Sequence, residues 1–120
     1  MIILMRAMLF FAAIFALVGS TGAQPVRIWQ SNGDQRWSRN ANWSGNRPNN
    51  SNEIAEFGAG SQLNPELNAN GYSIRGIQFS SDAGSYNVGD DNGARTLLIG
   101  SGSTGFIQSL SATDQLISIA

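Results

Sequence analysis

The stretch that decides the fold is residues 76–90, GIQFSSDAGSYNVGD. It contains two apolar pairs at alternate positions, Ile77 with Phe79 and Tyr86 with Val88, and a segment of Ser, Asp, Ala and Gly separates them. Alternation of apolar and polar residues is typical of a half-buried β-strand, and small polar residues are typical of turns. The stretch therefore predicts two brief strands with a turn between them.

The same alternation recurs on both sides of this stretch. Further pairs, each separated from the next by turn-rich segments, are Ala55 with Phe57, Leu97 with Ile99, and Ile117 with Ile119. No segment after the N-terminal region has the period of a convincing amphipathic helix. Several short strands separated by turn residues predict an all-β fold.

The apolar residues also recur at an interval of twenty. One series at this interval is Phe57, Ile77, Leu97 and Ile117, and a second is Phe79, Ile99 and Ile119. An interval near twenty matches one turn of a β-solenoid, in which each coil lays a short strand on the preceding coil about 4.8 Å away. We therefore predict the start of a short parallel β-helix, with Leu97 stacked between Ile77 and Ile117.

The repeat is imperfect, because the residues twenty positions after the apolar Val88 and Leu67 are the polar Gln108 and Asn87. An antiparallel β-sandwich is the alternative, in which residues 77–79 would pair with residues 86–88 as a hairpin. Regular hairpins explain the recurrence of strands, but they do not explain like side chains at one interval. This agreement favours the solenoid.

The composition argues against several kinds of chemistry. The 120 residues include neither cysteine nor histidine, which removes disulfides, thiol nucleophiles and the Ser-His-Asp triad. The seven basic residues are all arginine, and the formal net charge of −1 gives no attraction to nucleic acid or anionic lipid. We expect no enzyme activity, no cofactor and no nucleic-acid partner.

The N-terminal residues predict export. Residues 7–18 form an unbroken apolar run, Arg6 precedes it, and small residues up to Ala23 follow it. This is the layout of a secretory signal peptide. We predict a helical signal peptide over residues 1–23, cleavage after Ala23, an extracellular or cell-surface location, and no stable membrane insertion after cleavage. An uncleaved anchor is the alternative, since residues 1–18 approach the length of about 20 that spans a bilayer.

The remaining chain divides into two segments. Residues 24–52 are polar and tryptophan-rich without a repeat, and we predict an N-terminal cap there. Residues 53–120 carry the alternating pairs and are predicted to form solenoid coils that are incomplete at the C-terminus. The apolar alternation of residues 116–120 has no charge or proline to protect a strand edge. Further coils, or a second copy of the chain, are the expected partners of this C-terminal edge.

Trp29, Trp37 and Trp43 are the candidate ligand-binding residues. Exposed tryptophans present an apolar ring face and a polar N–H, and they would stack on sugar rings, which makes extracellular glycans an alternative partner. In the other interpretation the indoles plug the end of the solenoid, where the core would otherwise meet water. The plug is favoured for Trp37 and Trp43, and the sequence leaves Trp29 undecided.

Two close acidic pairs, Glu53 with Glu56 and Asp90 with Asp91, bear on catalysis and metal binding. Glycoside cleavage needs two nearby carboxylates, one of them with a pKa raised by burial. Both pairs adjoin turn residues, where solvated carboxylates are ordinary. Residues 90–93, DDNG, offer oxygen ligands but lack the spaced acids of a calcium loop. We predict no catalytic residue and no metal site.

Several short motifs resemble those of a known family. Residues 42–45 read NWSG, Pro48 follows, and residues 53–58 read EIAEFG; later motifs are GIQF at 76–79, AGSY at 83–86 and LLIG at 97–100. Together they resemble the opening of bacterial proteins built from autotransporter-associated β-strand repeats, over about residues 37–120. The resemblance implies a passenger-type parallel β-helix that is exported and displayed on, or released from, the cell.

Three functions follow as hypotheses. The first is an exported structural or surface protein, the beginning of a repeat β-helix stalk or passenger domain with an adhesive role. The second is an extracellular glycan-binding module that uses the tryptophan-rich segment. The third is a truncated polysaccharide-active β-helix enzyme.

Overall fold

The computed structural model describes residues 24–30, 33–100 and 104–119, and the predicted signal peptide lies outside these ranges. The described chain is all-β, with one 3-10 turn at Asn40–Asn42. Its strands are β1 (Val26–Ile28), β2 (Ile54–Phe57), β3 (Glu66–Leu67), β4 (Tyr72–Ile74), β5 (Gly76–Phe79), β6 (Asn87–Asp90), β7 (Leu97–Ile99), β8 (Phe106–Ser109) and β9 (Leu116–Ser118). Within the same ranges, no helix is both long and apolar enough to cross a membrane.

The predicted alternation is visible in the burial of the strands. In β2, Ala55 and Phe57 are buried while their neighbours are partly exposed, and in β5 the same holds for Ile77 and Phe79 around Gln78. Successive side chains of a strand point to opposite faces, so one face of each strand enters the core. The prediction of short, half-buried strands is confirmed at these positions.

The strands form three parallel sheets. The first sheet has the order β1-β2-β5-β8, the second β3-β6-β9, and the third β4-β7. Along the chain, β2, β3 and β4 belong to the first, second and third sheets in turn; β5, β6 and β7 repeat this order, and β8 and β9 begin it again. Each strand therefore lies beside the strand of the same sheet from the previous passage.

The predicted twenty-residue stacking is wrong. Ile77 pairs with Ala55 and Ile107, Leu97 pairs with Tyr72, and Ile117 pairs with Val88. Ile77, Leu97 and Ile117 thus lie in three different sheets.

The second predicted series fails in the same way, since Phe79 pairs with Phe57 and Ser109, and Ile99 pairs with Ile74. Loop length is the physical reason. The register partners Val26, Ile54, Gly76 and Phe106 are 28, 22 and 30 residues apart. Lengthening a surface loop costs little entropy, so parallel strands keep their register while the spacing varies.

The antiparallel alternative is also wrong. Residues 77–79 pair in parallel with β2 and β8, and β6 pairs in parallel with β3 and β9. The segment after Phe79 does not fold back as a hairpin, because it carries the chain from the first sheet to the second.

One apolar core takes side chains from all three sheets. The buried residues are Trp29, Trp37, Trp43, Ala55, Phe57, Leu67, Tyr72, Ile74, Ile77, Phe79, Ala83, Tyr86 and Val88. Phe57 and Phe79 are register partners, and their rings stack with centroids 5.4 Å apart. The Tyr86 ring lies 5.1 Å from Phe57, and its hydroxyl donates to the Gly58 carbonyl at 2.9 Å. Stacked like side chains thus do occur, although at a different interval from the predicted one.

Candidate functional site

The two ends of the three sheets differ, and this difference is the candidate functional feature. We call the edge formed by β1, β3 and β4 the capped end, and the edge formed by β7, β8 and β9 the open end. Each sheet contributes one strand to each end. The polar backbone groups at the edge of a sheet must find a partner, so the two ends are compared by their hydrogen bonds and burial.

At the capped end, the segment before β2 occupies the sheet edges. On β1, the Ile28 N–H donates to Ser44 Oγ and the Ile28 carbonyl accepts from the Ser44 N–H, both at 2.8 Å. On β3, the Glu66 carbonyl accepts from the Trp37 N–H at 2.8 Å. On β4, the Ser73 N–H donates to Asn49 Oδ1 at 3.2 Å. The backbone of each of the three strands therefore has a hydrogen-bond partner from this segment.

The three tryptophans lie inside the core, beneath this segment. Trp29, Trp37 and Trp43 have relative exposures of 2%, 0% and 2%. The indole of Trp43 meets those of Trp37 and Trp29 with centroids 4.7 and 5.1 Å away, and it meets Phe57 at 5.7 Å. No ring face is left for a sugar to stack on. The ligand-binding role predicted for these residues therefore has no geometric support in the described chain.

Each indole N–H is bonded to a backbone carbonyl. Trp29 Nε1 donates to Gln62, Trp37 Nε1 to Pro48 and Trp43 Nε1 to Trp37, at 3.0, 3.2 and 2.9 Å. A buried N–H without an acceptor is costly, and these bonds remove that cost while fixing each ring. The packing matches the plug interpretation for Trp37 and Trp43 and extends it to Trp29.

The side chain of Asn42 joins the 3-10 turn at Asn40–Asn42 to the backbone of residues 34–36. It has no exposed surface, and its Nδ2 donates to Asp34 Oδ1 at 2.7 Å, to the Asp34 carbonyl at 3.0 Å and to the Arg36 carbonyl at 2.9 Å. The bond from Asn42 Nδ2 to the Asp34 carboxylate is the largest cause of the lowered pKa of Asp34. Bonds from the Arg36 N–H and from Arg39 lower this pKa further. No sequence pattern indicates this role of Asn42, because its partners lie six and eight residues earlier in the chain and are brought to it by the fold.

Side chains on the strands of the open end are more exposed than their register partners on the adjacent inner strands. Ile77 is fully buried, whereas Ile107, its register partner on β8, is 58% exposed. In the second sheet, Val88 is buried while its partner Ile117 is only half-buried. Register partners in parallel strands project to the same face, so the exposed residues continue the rows of core side chains. Burial thus falls toward the open end in matched positions.

The third sheet shows the same trend. Tyr72 and Ile74 of β4 are buried, and their partners Leu97 and Ile99 of β7 are half-buried. A groove of about 420 Å³ lies at this end and is lined by Ile99, Gly105, Phe106 and Ile107. None of β7, β8 and β9 contains a charged residue or a proline. Edges without charge or proline readily pair with another strand.

The acidic pairs are engaged in structural contacts. Glu53 is buried; its Oε1 accepts from Arg27 Nη2 at 2.7 Å and its Oε2 from the Asn49 N–H at 2.9 Å. Glu56 accepts from Gln78 Nε2 at 2.6 Å. These bonds hold the two carboxylates in fixed positions.

The other acidic pair forms part of a turn. Asp90 Oδ1 accepts from the backbone N–H groups of Asn92 and Gly93, and Asp91 forms an ion pair with Arg95 at 2.7 Å. The bond from Arg95 is the largest cause that lowers the pKa of Asp91. Among the described residues, no three Asp or Glu side chains are grouped so as to hold a metal ion.

Comparison of the chain with protein-family models, curated proteins and solved structures finds no match.

Proposed function

We propose that the three parallel sheets are the sides of a β-solenoid and that the protein is the start of an exported structural stalk. The observation that best supports this proposal is the order of the strands. The chain passes through the three sheets repeatedly in one cyclic order, and every pair of neighbouring strands is parallel. A solenoid is a stack of such passages, each of which contacts mainly its neighbours.

The contrast between the ends supports the structural role. A terminal coil needs a cap to keep its core from water, and residues from Gln35 to Asn49 supply edge partners at one end. At the other end, Ile107, Leu110 and Leu116 are more than half exposed. We propose that a further layer of parallel strands covers them, from additional coils or from a second copy.

The family hypothesis gains support from where its motif residues lie. Trp43, Phe57, Phe79 and Tyr86 come from four separate motifs and form one aromatic cluster, with ring centroids 5.1–6.0 Å apart along the contacts that link them. We propose membership of the autotransporter-associated β-strand repeat proteins on this basis. Export, cleavage after Ala23, and an adhesive surface location belong to the same proposal.

A non-catalytic role is part of the proposal. The buried Glu53 is bound by Arg27 and by a backbone N–H, and Asp91 is bound by Arg95, which are arrangements that stabilise structure. A polysaccharide-cleaving site needs two carboxylates that face a shared substrate. The contacts of these acids favour the structural function over the enzymatic one.

Addition of one coil tests this proposal. A copy of residues 92–119, which carries β7, β8 and β9, is appended after Ala120, and a scrambled copy of the same composition serves as the control. If the sheets are solenoid sides, the copy stacks on the open end and raises the melting temperature, because coil interfaces add to stability. An appended copy that stays disordered and leaves the melting temperature at the control value would contradict the solenoid.

A further inference from the structure

A polar cleft lies at the capped end, and none of its lining residues belongs to the apolar core. It is lined by Arg27, Asn40, Asn46, Arg47, Asn49, Asn50 and Glu53, and we call it the asparagine cleft. Its volume is about 320 Å³, at the small end of the range of about 300–1,000 Å³ that is usual for ligand sites. Its lining consists entirely of amide, guanidinium and carboxylate side chains, which is unlike the apolar groove of the open end.

The charges in the cleft do not cancel. Arg27 is neutralised by Glu53, whose Oε1 accepts from Arg27 Nε at 2.9 Å and Nη2 at 2.7 Å. Arg47 belongs to none of the ion pairs found in the described ranges. Its Nη1 donates only to the Ser38 carbonyl at 3.4 Å and to Asn40 Oδ1 at 3.3 Å, and its Nε is buried without an acceptor. The lining residues thus carry one uncompensated positive charge.

The asparagines add a surplus of hydrogen-bond donors. The amide oxygens of Asn40, Asn49 and Asn50 accept from the backbone N–H groups of Arg47, Ser73 and Asn52. Each amide also has an NH₂ group with two donors. Among the described residues, these three NH₂ groups and the whole side chain of Asn46 have no hydrogen-bond partner. A ligand that fits such a lining is rich in acceptors.

We propose that the asparagine cleft binds an acidic saccharide, with a uronate carboxylate on Arg47 and hydroxyl or ring oxygens on the asparagine amides. Guanidinium groups bind carboxylates through charge-assisted bonds, which explains a requirement for the acid. Four asparagine amides line the cleft, which is more hydrogen-bonding groups than a small anion can engage, so they match a hydroxyl-bearing ring better. This site is separate from the buried tryptophans and does not depend on the open end.

Calorimetric titration of the protein expressed from the full sequence tests the proposal with three probes: trigalacturonate, the neutral trisaccharide maltotriose, and sodium sulfate at equal ionic strength. We expect binding of trigalacturonate that weakens as salt rises. Maltotriose and sulfate are expected to bind about tenfold more weakly or not at all, since each lacks one of the two features of the ligand. Equal binding of sulfate would reduce the cleft to a plain anion site and overturn the proposal, as would equal binding of maltotriose.

Two variants locate the binding. Arg47→Gln removes the charge, and Asn46→Ala removes an exposed amide that has no hydrogen-bond partner within the described structure, so we expect this variant to fold normally. We expect about a tenfold loss of trigalacturonate affinity for Arg47→Gln and a smaller loss for Asn46→Ala. Arg36→Gln is the matched control, because Arg36 is exposed and does not line the cleft. Unchanged affinity in both cleft variants, or no binding by the parent protein, would overturn the assignment.

Discussion

Ile107 lies next to Ile77 in parallel register, yet Ile77 is fully buried and Ile107 is 58% exposed. The two side chains are identical and project to the same face of adjacent strands, so the difference comes from what lies beyond each strand. β8 covers Ile77, and no strand among the described residues covers Ile107. The exposed fraction of Ile107 thus reports the accessibility of the open end.

The contact between Gly76 and Phe106 yields the first prediction. They are register partners, and a Cβ on residue 76 would lie 2.6 Å from the Phe106 ring. Gly76→Ala should therefore displace the ring and lower the free energy of unfolding by about 1–2 kcal/mol, the range for a mild overpacking. Urea denaturation measures the loss.

A double variant provides the control for this contact. Phe106→Ala removes the ring, so adding Gly76→Ala to it should cost nothing further, because only the clash made the alanine unfavourable. If Gly76→Ala alone is as stable as the parent, the two residues are not packed as described.

The tryptophan cluster yields the second prediction. Trp37 has no exposed surface and contacts Trp43, Phe57 and Tyr72. Trp37→Ala should lower the free energy of unfolding by about 3–5 kcal/mol, the range for large-to-small changes in a core. Trp37→Phe should cost less, since it keeps a ring while losing the bond to the Pro48 carbonyl. Thermal melts that leave Trp37→Ala as stable as the parent would place this residue outside the core.

The pH dependence follows from Asp34. Its pKa is lowered below the ordinary value of 3.8, chiefly by the bond from Asn42, so the charged form is favoured in the folded state. The stabilising effect is present above pH 3.8 and is lost as the pH falls through the lower pKa of the folded state. Asp34→Asn should therefore show a shallower loss of stability below pH 4 than the parent. Chemical denaturation at pH 7 and across the acid range measures it, and parallel curves for the two proteins would contradict the role of Asp34.

The sequence was sufficient for local features of the fold. Alternation at Ala55 and Phe57, and at Ile77 and Phe79, predicted the strands because the period of a strand is a property of neighbouring residues. The sequence was not sufficient to predict which strands pair with each other. Ile77 pairs with Ile107 and not with Leu97, because the loops between passages differ in length and leave no mark in the strands themselves.

The candidate site was predictable only in part. The edge that ends at Leu116–Ser118 was expected to be apolar and unprotected, since strand composition is readable locally. Burial of Trp29 and the role of Asn42 depend on partners such as Gln62 and Asp34, which the fold brings together from elsewhere in the chain. The asparagine cleft was missed because its asparagines look like ordinary turn residues; the density of asparagine over residues 40–50 was the available signal.

We propose that the open end is a docking surface for further strands. Sedimentation velocity over a concentration series, on the parent protein and on Ile107→Lys and Ile28→Lys, tests this proposal. Ile28 is 41% exposed on β1, where Ser44 already occupies its backbone groups, so it is the matched control at the capped end. A lysine on an edge strand hinders pairing. We predict that the parent and Ile28→Lys self-associate while Ile107→Lys stays monomeric. A parent protein that is monomeric at high concentration, or association unchanged by Ile107→Lys, would show that the open end is not a docking surface.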